Sequence, residues 1–113
     1  MDTLVKLVAA NPVDSYEEIP LATFPVRLGR SPDADVCVED RWVSRDHCEI
    51  DFVDDELIVR DLESKHGTFV NGRLIGQASL RKGDLLTIGL SKFVVQCEYE
   101  TAGRPARDKA LVS

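Results

Sequence analysis

The chain has 113 residues, 43% of them hydrophobic and 30% charged, enough for one domain with its own core and too few for two. Fourteen basic residues stand against 20 acidic ones, a net charge of −6, which argues against a protein whose main task is coating nucleic acid or an anionic membrane. No apolar run is long enough to span a bilayer, and the N-terminus carries Asp2 with no basic region ahead of an apolar one, so it does not read as a secretory signal and a cytoplasmic location is expected.

Thr3 to Ala9 reads as the first strand. The segment Asn11 to Thr23, with two prolines and three acids, reads as a surface loop leading into a strand. Pro25 to Leu28 and Val36 to Glu39 follow as strands on either side of the turn cluster Gly29 to Asp35. In His47 to Val53, Cys48, Ile50 and Phe52 alternate with Glu49 and Asp51, which gives one buried face and one wet one. Asp54-Asp55 makes a turn into the strand Glu56 to Leu62. Asn71-Gly72, between strands Thr68 to Val70 and Arg73 to Ile75, is a type I′ hairpin signal because both central residues tolerate positive φ. Asp84 to Ile88 and Lys92 to Glu100 close the series, with Phe93, Val95, Cys97 and Tyr99 on one face. Short runs at this spacing, without helical periodicity, predict an all-β sandwich or barrel. Residues 1–100 form the expected domain; residues 101–113, polar and proline-containing, read as a disordered tail.

Cys37, Cys48 and Cys97 are odd in number, lack CxxC spacing and have only His47 and His66 beside them. They are expected to be buried free thiols, with no metal and no cofactor.

Three clusters fall where loops should be: Gly29-Arg30-Ser31-Pro32, Ser44-Arg45-Asp46-His47, and Ser64-Lys65-His66-Gly67-Thr68. Arg30, Arg45 and Lys65 supply cationic donors, Ser44 and Ser64 supply hydroxyls, and the turns supply backbone N–H groups. That mixture suits a tetrahedral dianion such as a phosphorylated side chain.

The order Gly29-Arg30, Ser44-x-x-His47 and Asp61-Leu62-x-Ser64-x-x-Gly67-Thr68-x-Val70-Asn71-Gly72 resembles the forkhead-associated (FHA) domain from about Val26 to Tyr99. The resemblance implies an eleven-stranded β-sandwich of two mainly antiparallel sheets whose loops at one end bind phosphothreonine in partner proteins. It makes Arg30 the main guanidinium to the phosphate, Ser44 a hydroxyl donor to it, and Arg45, Lys65 and His66 further ligand contacts. Lysine at 65 and histidine at 66 depart from the small hydroxyl residue and the asparagine common in the family. His47, Gly29, Gly67, Thr68 and Asn71 become supports of the site. Selectivity for the residue three after the phosphothreonine falls to Leu90, Ser91 and Lys92 and to the stretch Arg41-Trp42, where Trp42 reads either as an aromatic platform for a ligand side chain or as a lid over the sandwich edge. Taken singly, Arg41, Arg73, Arg81 and Lys82 read as solvated charges.

An enzyme is not expected. Ser44, Asp46 and His47 lie on one extended segment that points successive side chains apart, and neither a GxSxG elbow nor a GxxxxGK[ST] phosphate loop is present. The implied function is a phosphothreonine-dependent adaptor downstream of a Ser/Thr kinase, with no nucleic-acid or membrane partner. The alternative is an FHA-like interaction scaffold that binds its partner without phosphorylation.

Overall fold

A computed structural model describes residues 3–10 and 18–99; the expected disordered tail, residues 101–113, lies outside them. Eleven strands run in the order β1 (Thr3–Ala9), β2 (Glu18–Leu21), β3 (Val26–Gly29), β4 (Val36–Cys37), β5 (Cys48–Val53), β6 (Glu56–Asp61), β7 (Thr68–Val70), β8 (Arg73–Ile75), β9 (Gln77–Leu80), β10 (Leu85–Ile88) and β11 (Ser91–Tyr99). They form two sheets, β2-β1-β11-β10-β7-β8 and β4-β3-β5-β6-β9, whose only parallel pair among the described residues is β3 with β4. No described helix is long and apolar enough to cross a membrane.

The alternation in β5 works as the pattern requires. Cys48 and Ile50 are fully buried, Ile50 paired with Val59 and Cys48 with Asp61 on β6. Leu7, Leu86, Ile88 and Val95 come from the facing sheet to complete the core, each such side chain contributing about 1.5–3 kcal/mol through burial. Phe52 stays partly exposed, its ring 5.8 Å from that of Phe24. The other face of the same sheet is wet: Arg60 reaches Glu49 at 3.3 Å and Asp51 at 3.6 Å, half-exposed pairs worth little each. Asn71 and Gly72 both take positive φ, 51° and 83°, and make the turn expected between β7 and β8. Asp54 and Asp55, at 52° and 65°, make the same kind of turn between β5 and β6.

Two strands lie where the sequence suggested none. β2 occupies the end of the segment read as a loop, and β9 follows Gly76 directly. Both are sheet edges with one partner strand, so each needs few apolar residues: Leu21 and Leu80 are the buried anchors. An edge also tolerates Pro20, which lacks a ladder donor. The strand expected at Val36 to Glu39 shrinks to two residues.

The cysteines are free. Cys48 and Cys97 are buried, but Cys37 is exposed, against expectation, because it lies on β4, a two-residue edge strand paired on one side only. Burial, helped by the Asp61 charge, pushes the Cys48 thiol up to about 12, so almost no thiolate forms there at neutral pH. A thiol reagent at pH 8 should modify Cys37 rapidly and Cys48 and Cys97 only after unfolding, as read by mass spectrometry of native and denatured samples.

Candidate functional site

Four connections meet at one end of the sandwich: 30–35, 38–47, 62–67 and the turn at Gly89-Leu90. The first two interlock through the backbone. The Arg30 amide donates to the Ser44 carbonyl at 2.9 Å, the Ser31 amide to the Arg45 carbonyl at 3.2 Å, and the His47 amide to the Leu28 carbonyl at 3.0 Å. Gly29 permits that approach, since a methyl group there would overlap the Arg45 carbonyl oxygen.

His47 joins the second and third connections. Its Nδ1 accepts from the Ser44 amide at 3.0 Å and its Nε2 lies 2.8 Å from the Gly67 carbonyl oxygen. An amide only donates and a carbonyl only accepts, so the ring is the neutral Nε2–H tautomer. It is fully buried. Gly67, at φ 93°, turns its carbonyl toward the ring in a conformation that a side chain would strain.

Asp61 holds the third connection. Its Oδ1 accepts from the hydroxyls of Ser64 and Thr68, both at 2.6 Å, and its Oδ2 from the Ser64 amide at 3.1 Å. The Ser64 hydroxyl in turn accepts from the Gly67 amide at 2.9 Å. Burial works to raise the Asp61 carboxyl, but the Ser64 and Thr68 hydrogen bonds outweigh it and hold the group below the usual carboxylate range. Ser64, read from the sequence as a hydroxyl for the ligand, therefore already donates its hydroxyl hydrogen bond to Asp61. The Asp61-x-x-Ser64 spacing is the signal that would have shown this local brace.

Asp40 does the same for the second connection. Oδ1 accepts from the Trp42 amide at 2.8 Å, while Oδ2 accepts from the Leu90 amide and the Ser91 hydroxyl, both at 2.8 Å. Burial opposes ionisation here too, and the bonds from Trp42, Ser91 and Leu90 overcome it, so the carboxyl sits below its ordinary range. Nothing in the sequence separation of Asp40 from Leu90 advertised this clamp.

Between these braces lies a depression of about 440 Å³ lined by Arg30, Arg41, Trp42, Ser44, Lys65 and His66. Among the described residues no carboxylate lines it. Arg30 spends its Nε–H on the Val43 carbonyl at 3.0 Å, which leaves the two terminal nitrogens of its fork. The Ser44 hydroxyl accepts from the Lys65 amide at 2.9 Å, which leaves its own proton to donate. Trp42, 45% exposed, lines the depression with its edge against His66, ring centroids 5.1 Å apart at 72°.

The structure thus brings together Arg30, Ser44, Lys65, His66 and Trp42 from the sequence reading. Four positions differ from it. Arg41, read as a solvated charge beside Trp42 in the selectivity stretch, lines the depression itself, whereas Arg45 adds only its carbonyl to the brace behind Gly29. Leu90 is 67% exposed and, like Ser91, is bound to Asp40 outside the lining. Asn71 does tie two turns, through Asp84 at 3.0 Å and the Leu85 amide at 2.9 Å, but at the end of β7 opposite Gly67.

The family profile described as FHA domain matches residues 26–89. The chain belongs to the FHA domain family. Among curated relatives, the glycogen accumulation regulator GarA of Mycobacterium tuberculosis is 39% identical over 66 residues, 58% of this chain and 41% of GarA, so the chain spans less than half the length of that relative. An FHA domain from a structural and functional analysis of phosphothreonine-dependent FHA domain interactions superimposes with a TM-score of 0.78 at 28% identity, covering 87% of this chain and 99% of its own. EmbR of Mycobacterium tuberculosis, in complex with a low affinity phosphopeptide, gives 0.78 at 28% identity over 88% of this chain and 26% of EmbR.

Gly29→Ala in this FHA domain should destabilise it by about 1–3 kcal/mol, the usual scale of overpacking, measured by urea unfolding. The two carboxylates add a pH signature. Their folded midpoints lie below the unfolded ones, so they contribute stability at neutral pH that is lost as pH falls through about 4 and on toward the folded midpoints. Asp61→Ala should cost about 1–3 kcal/mol near neutrality and flatten that acid limb; an unchanged limb would contradict the assignment.

Proposed function

We propose that this FHA domain is a non-catalytic module that binds phosphothreonine in partner proteins after a Ser/Thr kinase has acted on them, in the cytoplasm. The observation that carries the reading is the Arg30 fork and the free Ser44 proton on one carboxylate-free depression in a chain of net charge −6. A phosphate dianion takes two oxygens to a guanidinium fork and a third to a hydroxyl.

The donors are fixed before the ligand arrives. Val43 holds the Arg30 side chain, Lys65 holds the Ser44 oxygen, and His47 holds the distance between their loops. Little rotamer entropy remains to be lost on binding. Lys65 adds attraction without a hydroxyl-type bond, and His66 offers a ring nitrogen to the peptide backbone. The likeness to phosphothreonine-dependent FHA domains supports threonine over serine as the phosphorylated residue. A short peptide covers little area, so the affinity should be micromolar, about −8 kcal/mol.

The test is a degenerate peptide library presented as threonine, phosphothreonine and phosphoserine. The chain should prefer phosphothreonine, and Arg30→Ala should lose about 2–5 kcal/mol of binding with its unfolding midpoint unchanged. Equal binding of all three forms by a folded protein would overturn the reading and favour a phosphorylation-independent scaffold.

A further inference from the structure

The depression carries more positive charge than one phosphate balances. Arg30, Arg41 and Lys65 supply three cations, and a phosphorylated side chain supplies about −1.5 to −2 at neutral pH. Among the described residues none of the three is ion-paired; the pairs that form use Lys6, Arg27 and Arg60. Asp40, the carboxylate beside Arg41 in sequence, is turned away: its two oxygens take the Trp42 and Leu90 amides and the Ser91 hydroxyl.

The three cations are also held differently. Arg30 and Lys65 are both joined to Ser44, through the Arg30 amide on its carbonyl and the Lys65 amide on its hydroxyl. Arg41 is carried instead by the Asp40 turn, which the Val43 amide closes on the Asp40 carbonyl at 2.9 Å, beside the Trp42 ring that meets His66. A fixed turn thus presents an uncompensated guanidinium at the depression, separate from the group that hangs on Ser44.

From this we infer that Arg41 is a specificity residue that selects ligands bearing a second negative charge close to the phosphothreonine, either a carboxylate side chain or another phosphate. The inference rests on the phosphothreonine reading above and adds to it the charge of the flanking sequence. In the free protein no described carboxylate pairs with Arg41.

Fluorescence anisotropy on the full chain tests it with four peptide sets: a phosphothreonine peptide with neutral flanks, the same peptide with glutamate at each flanking position in turn, the same with a second phosphothreonine, and an acidic unphosphorylated peptide. At low salt at least one glutamate-bearing phosphopeptide should bind about fivefold tighter than the neutral one, the upper range for a partly exposed ion pair. The second phosphate should gain more if phosphate is the natural source, and no more than glutamate if a carboxylate is. Arg41→Gln should bind the glutamate-bearing and doubly phosphorylated peptides no tighter than it binds the neutral phosphopeptide, and Arg41→Lys should recover part of the preference. Tight binding of the neutral phosphopeptide with no acidic preference, or a preference that survives in Arg41→Gln, overturns this inference and leaves the phosphothreonine reading intact. Failure of every phosphopeptide to bind overturns both.

Discussion

One buried imidazole sets the spacing of everything at the loop end. His47 has no solvent to fall back on, and each of its nitrogens has a single fitting partner, the Ser44 amide on one side and the Gly67 carbonyl on the other. Loss of either partner leaves a buried polar group unsatisfied, at a cost of about 1–3 kcal/mol. The ring therefore acts as a rigid spacer between two loops that come from different parts of the second sheet. Ser44 and Lys65 can share a hydrogen bond only because that spacing is right.

Around that spacer the two carboxylates divide the remaining task. Asp61 folds its own connection into a compact knot from residues within seven positions of it. Asp40 reaches across the sandwich, to groups 50 and 51 residues away. The first makes the loop; the second decides where the loop sits. A chain with a large acid surplus has used two of its acids internally, and their bonding to amides and hydroxyls keeps them from neutralising the arginines nearby.

The sequence made the centre of the fold legible and left its margins obscure, for physical reasons. β5 alternates because one face is in the core and the other in water, and Asn71-Gly72 has few conformations other than the tight turn it adopts. β2 and β9 needed only one partner strand each, so residues such as Pro20 and Gln77 carried no strand signal. At the site, Arg30 and Ser44 stood in motifs whose resemblance to the FHA domain pointed to the phosphate site. Arg41 was legible only as part of a selectivity stretch, since an exposed arginine looks the same in sequence whether or not a carboxylate meets it; its environment depends on where Asp40 turns. Ser64 misled in the opposite sense, a hydroxyl in the right loop whose hydrogen bond goes to Asp61.

The register of β1 with β11 places Thr3 opposite Tyr99, while Ser91, at the other end of β11, sits on Asp40 beside the loops. Nine residues of strand separate the two ends, a distance on the order of 25 Å. Both the start and the finish of the described sandwich thus lie away from the depression. Any phosphorylated segment continuing from Tyr99 would have to double back over at least about eight extended residues before meeting its own domain's loops. A shorter leash reaches only a neighbouring molecule, so leash length alone would decide between a closed monomer and a chain of linked copies.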